Sequence, residues 1–215
     1  MGYINFRPWV GKKYYSNGVN GKHILVLGES HYCCDLAENK KCFPLCMKAN
    51  MLDSCYSFTE DVIHDYVYYY SGARYEQTFL CFERAIVGKE LSQQERENLW
   101  EGIIFYNYLQ FAQAGPRTSI KPEYWEESEL AFKEVLNRFL PDYIIIWGVR
   151  LYEGMPNWDG KQSLLKISEN DYTNVRTYTI NGKQIPALRV YHPSTPIGKS
   201  WPYWHKVYSK FFENY

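Results

Sequence analysis

Four short apolar runs restrict what this chain can fold into more than any other feature of its sequence. They are Ile24–Gly28 (ILVLG), Ile103–Asn107 (IIFYN), Tyr143–Trp147 (YIIIW) and Ala187–Tyr191 (ALRVY). Each is too short for a helix, and the last three scarcely alternate polar with apolar residues, the pattern of strands covered on both faces. Helical signals lie between them. Ser57-Phe-Thr-Glu60 and Ser92-Gln-Gln-Glu95 both fit a capping box, in which a serine oxygen accepts from the third helical N–H and the glutamate reaches back. Pro122 suits the first turn of a helix running to about Leu140, with Trp125, Leu130, Phe132, Val135, Leu136 and Phe139 on its buried side. A last helix is expected from Trp201 to Phe212, and a hairpin on the Asn181-Gly182 turn within Thr177–Ile185. Strands alternating with helices predict an α/β fold, a three-layer α/β/α sandwich with a central four-stranded parallel sheet plus a short β-hairpin. Neither a repeat nor a linker divides the sequence, so residues 1–215 are expected to form a single domain.

Composition narrows the function classes. With 46% hydrophobic and 22% charged residues, and no long apolar segment, the chain is neither a disordered nor a membrane-spanning class. No secretory signal is visible in the first residues, so a cytoplasmic location is expected; the sequence leaves the oligomeric state open, with a monomer favoured. Its six cysteines then read as reduced thiols or metal ligands. His31, Cys33, Cys34, Cys42, Cys46 and Cys55 gather soft donors after the first strand, yet contain no C-x2-C pair. Thiols without a metal are the reading preferred here, and a metal-binding regulatory protein the alternative. Gly18-Val-Asn-Gly21-Lys22 precedes its strand and has two residues between its glycines, so it is a turn and not a phosphate loop.

Ligands of parallel sheets bind beyond the carboxyl ends of the strands. Those ends carry Gly28-Glu29-Ser30-His31-Tyr32, Asn107, Gly148 and His192-Pro193-Ser194. An asparagine in an apolar strand must find partners: it either ties down a loop or reads a ligand offering adjacent donor and acceptor, such as the edge of a nucleobase. A loop histidine either caps a strand or serves a leaving group. A Glu, an Asn and a His on one rim point to chemistry.

In their order and strand contexts these motifs resemble the uracil-DNA glycosylase superfamily, over residues 24 to about 200. The similarity is greatest to the branch whose first motif reads Gly-Glu-Ala-Pro-Gly, matched here by Gly28-Glu29-Ser30. Tyr106-Asn107 with Gly115-Pro116-Arg117-Thr118 matches its second motif, and His192-Pro193-Ser194 its last. The resemblance implies a DNA glycosylase acting on uracil or a related deaminated base in single- or double-stranded DNA, without cofactor. Asn107 would bond the flipped base, Phe43 stack on it and Tyr32 exclude bulkier bases. His192 would stabilise the departing base. Ser194, Ile197, Lys199 and Arg117 would contact the nucleic acid, Ile197 as wedge. Ser30 stands where several branches place an Asp or Asn that positions water, so Glu29 would take over that role, and His31 replaces the motif proline. A catalytically weakened nucleobase-binding module on the same fold is the alternative.

Net charge is zero, with 24 basic and 24 acidic residues, but the charges are segregated. Residues 1–28 carry four basic side chains and no acidic one, and residues 172–215 carry six basic against Glu213 alone. Neutrality therefore excludes a strongly basic, promiscuous DNA binder while allowing one basic lip, because local potential steers a polyanion.

Overall fold

The computed structural model describes residues 2–32, 53–113, 119–194 and 200–215. Nine strands occur in chain order among them: β1 (Trp9–Val10), β2 (Ile24–Gly28), β3 (His31–Tyr32), β4 (Ile103–Asn107), β5 (Ala112–Gln113), β6 (Tyr143–Trp147), β7 (Gln162–Ser168), β8 (Asp171–Ile180) and β9 (Lys183–Val190). The helices are α1 (Asp53–Tyr56), α2 (Phe58–Tyr69), α3 (Gln77–Val87), α4 (Gln93–Trp100), α5 (Pro122–Phe139), α6 (Val149–Gly154) and α7 (Trp201–Asn214). Seven strands form one sheet in the order β1-β4-β2-β6-β9-β8-β7. Its centre, β4-β2-β6-β9, is parallel throughout and is made of the four apolar runs.

The four-stranded expectation is corrected to seven. The hairpin turns at Asn181-Gly182 as predicted, both residues having positive φ, but it is no accessory. Its second strand is the start of β9, and its first, β8, continues the sheet antiparallel and pairs in turn with β7. At the other edge, β1 adds antiparallel to β4. The parallel strands are almost wholly buried, whereas β7 alternates as an edge strand does.

Alternation along the central strands divides the interior into two cores. Val26, Phe105, Ile145, Trp147 and Leu188 face α2, α3, α4 and α7; Leu27, Ile104, Ile146 and Ala187 face α5 and α6. The result is a mixed α/β fold whose mostly parallel sheet is flanked by helices on both faces. Three helical details depart from expectation or meet it. Ser92 and Glu95 close the capping box on α4. Ser57 does not: it has helical dihedrals, its hydroxyl donates to Asp61 at 2.7 Å, and Glu60 pairs instead with Arg7 at 2.8 Å. On α5, Leu130 is exposed, and Ser128 and Ala131 take the core positions beside Phe132 and Val135. Among the described residues no helix is long and apolar enough to cross a membrane.

Candidate functional site

In the strand order β4-β2-β6-β9, the chain moves from β2 to one side for β4 and then returns past β2 to build β6 and β9. The strand order reverses between the carboxyl ends of β2 and β6, the kind of position at which open parallel sheets bind ligands. Gly28-Glu29 and Gly148-Val149-Arg150 lie there. Gly148 has φ +111°, a left-handed conformation that glycine adopts freely, and it turns the chain from β6 directly into α6. This tight turn brings Arg150 to Glu29. Arg150 Nε donates to Glu29 Oε2 at 2.8 Å and its Nη2 to Oε1, a bidentate pair whose carboxylate side is largely buried and whose guanidinium is half exposed. The carboxylate raises the Arg150 pKa.

Asn107 ends β4 in register with Gly28 of β2. A Cβ at position 28 would sit 2.2 Å from Asn107 Oδ1 and 2.9 Å from the Phe105 ring. Gly28 is therefore required by close approach: the asparagine carboxamide lies across its bare Cα. The backbone beyond both strands stays coupled, Tyr108 and Leu109 donating to the carbonyls of Gly28 and Glu29. Gln110 then secures the surroundings, its carboxamide accepting from the N–H groups of Asn5 and Phe6 and donating to the Asn107 carbonyl.

His31 follows in the small parallel ladder of β3 with β5. Its ring is buried, stacked on Phe6 at 3.8 Å between centroids, with Nε2 2.5 Å from Thr59 Oγ1 and 3.3 Å from Asn107 Nδ2. Burial pulls its pKa down to about 3, so it is neutral at physiological pH. Tyr32, next in the strand, is exposed and close enough to Arg150 to act on its charge. Ser30 is half buried at the bend between β2 and β3.

His192 follows β9. Its Nδ1 lies 2.9 Å from the hydroxyl of exposed Ser194, which leaves Nε2 for a ligand, and its ring stands edge-on to Trp147. Desolvation lowers its pKa, and the negative charge of Glu29 acts in the opposite sense. Glu29 thus reaches both Arg150 and the field of His192.

The sequence-derived residues Glu29, Ser30, Tyr32, Asn107, His192 and Ser194 accordingly share one edge of the sheet, where Glu29 is held by Arg150, Asn107 lies against His31 and His192 lies against Ser194. Phe43, Arg117, Ile197 and Lys199 lie outside the described residues, as do Cys33, Cys34, Cys42 and Cys46. Cys55 and Cys81 are half buried, and among the described residues no group of three His, Cys, Asp or Glu side chains could hold a metal ion. Sequence reading missed Arg150 and Thr59. The signal for Arg150 was its place two residues after the glycine that ends the third apolar run; Thr59, on a helix distant in sequence, gave none. Compared with models of known protein families and with curated proteins, the chain matches none.

Proposed function

We propose that the protein is a DNA glycosylase of the uracil-DNA glycosylase type, hydrolysing the N-glycosidic bond of a deaminated base. The observation that carries this reading is the placement of Glu29, Asn107 and His192 at the carboxyl ends of β2, β4 and β9, around the point where the strand order reverses. With strands spaced about 4.8 Å apart, the backbones of β4 and β9 are some 14 Å apart, a cradle for a base with its sugar. In this reading, Asn107 reads the base edge. The Ser194 hydroxyl, 2.9 Å from His192 Nδ1, would donate to it, so that Nε2 would carry the ring proton and offer it as a hydrogen bond to the base as negative charge develops there. The C1′–N bond breaks with its electron pair going to the base. Water adds at C1′ and releases a proton to solvent, while the Glu29 carboxylate, kept in place by Arg150, stabilises the positive charge on the sugar.

The bidentate grip of Arg150 also favours a second reading, a nucleobase-binding module with weakened chemistry, because both oxygens of Glu29 are already engaged. Purified protein incubated with oligonucleotides containing uracil, hypoxanthine or xanthine separates the two. A glycosylase gives abasic product that falls at least a hundredfold in His192→Ala, the loss expected of one charge-stabilising donor. No product above that control rejects the enzyme, and activity gained only in Ser30→Asp identifies the binding module.

A further inference from the structure

We propose that the aromatic cavity between α3 and α7 is a second base site, which takes the base next to the one released, so that the protein grips two adjoining nucleotides of one strand. The inference rests on the glycosylase reading above and adds to it how the strand is held beside the reacting nucleotide.

The cavity arises from a mismatch of side-chain size between two packed helices. Trp201, Trp204 and Tyr208 recur at helical spacing along one face of α7, whereas α3 sets the small Cys81 and Ala85 against the same space. What is left has a volume of about 330 Å³, near the lower end of the roughly 300 to 1,000 Å³ usual for ligand sites and suited to a single ring system. Tyr191, just after β9, closes one side: its ring meets that of Trp204 at 5.4 Å between centroids and 78° between planes. Two walls nearly at right angles let a flat guest lie on one and abut the other.

The lining also says which guest fits. None of the described side chains around the cavity is charged at neutral pH, since burial raises the Cys81 thiol and keeps it protonated. A phosphate would find no cation there, whereas a neutral heterocycle finds ring faces and, at the exposed Gln77, a carboxamide that both donates and accepts. Ser194 supplies the connection to the site: it borders the cavity, and its hydroxyl lies 2.9 Å from His192 Nδ1. Two bases placed there would flank one residue. Turning out the first base removes a stacking partner from its neighbour, so the second leaves the stack at reduced cost. Stacking on an aromatic side chain contributes roughly five- to 150-fold in affinity per base and tolerates any base, because each has a π face.

Fluorescence anisotropy with short labelled single strands tests this. Each strand carries 2′-fluoro-2′-deoxyuridine, whose fluorine disfavours positive charge on the sugar and so blocks cleavage, and has either normal neighbours or a baseless tetrahydrofuran residue on the 5′ or the 3′ side. The expected result is a loss of about tenfold in affinity when the base on one side is removed. That loss should shrink to below about twofold in Trp204→Ala, and in Cys81→Phe, which fills the cavity and removes no packed ring, each shown by its thermal transition to be folded. No binding by the wild type, a loss under about twofold on both sides, or an undiminished loss in a folded variant overturns the second base site. Cleavage of the unfluorinated strand decides the glycosylase reading separately. Neighbour-dependent binding through Trp204 without abasic product rejects the enzyme and keeps the site; abasic product without neighbour dependence does the reverse.

Discussion

The His31 ring stays neutral in acid because protonating it would put an unshielded charge among Phe6, Phe58 and Thr59. Its pKa is near 3 in the fold against the ordinary 6.5, so between those values the unfolded chain binds a proton that the folded one refuses. Stability from this group is complete above pH 6.5 and declines as pH falls through the window, by about 1.4 kcal/mol per pH unit. Lowering the pH from 6.5 to 5 should therefore cost the wild type roughly 2 kcal/mol more than His31→Phe, as measured by urea denaturation at each pH. Equal slopes for the two proteins would count against a neutral buried imidazole. That window lies above the range in which most carboxylates titrate, and the His192 contribution, which has the same sign, cancels in the comparison. At this scale, Asn107 and His192 were legible in the sequence because a polar residue closing an apolar strand stands out. Arg150 and Thr59 were not, since an arginine or threonine on a helix usually meets solvent, and only the chain crossing shows what lies opposite.

Elements were legible where a local signal decides them. Ser92 accepts from the Glu95 N–H while the Glu95 carboxylate accepts from the Ser92 N–H, so two otherwise unpaired donors at the start of α4 are satisfied within four residues of chain. Ser92→Ala should cost about 1 kcal/mol in equilibrium unfolding without changing the m-value. A cost near zero would mean that solvent serves this helix end equally well. The same letters at Ser57 fail because Glu60 has a better partner in Arg7, 53 residues earlier, and a long-range ion pair has no trace in local spacing. Leu130 was misplaced for a related reason: the helical period admits it to the apolar face, but the sheet covers a narrower stripe centred on Phe132, Val135 and Leu136. Strand β7 escaped sequence reading because its residues are mostly exposed, and pairing with β8, not burial, makes it a strand. Buried polar groups add a further layer. In α4, a polar sequence conceals Arg96, which donates to Glu83 of α3 at 3.0 Å within the core and joins the two helices.

Across the whole molecule, one sheet serves both cores. Val26 and Leu27, adjacent in β2, contribute to opposite faces, so neither helical layer can leave without exposing strands on which the other depends. Unfolding followed by far-ultraviolet circular dichroism and by tryptophan fluorescence should give coincident transitions, Trp100 and Trp147 reporting on one core and Trp125 and Trp158 on the other. Separated transitions would show layers that detach independently. Several properties of the protein were determined by sequence alone: the four parallel strands, the helices with strong end signals, the Asn181-Gly182 turn, and the gathering of Glu29, Asn107 and His192 on one edge. Each follows from side-chain periodicity, backbone preference or the direction of parallel strands, all of which act over a few residues. Tertiary structure alone decided the strand order and hence the reversal between β2 and β6, the antiparallel extension to seven strands, and the partners of Glu29 and Asn107. Those partners, Arg150 for Glu29, His31 and Gly28 for Asn107, come from segments up to 121 residues apart, and which distant groups meet depends on how the layers close around the sheet.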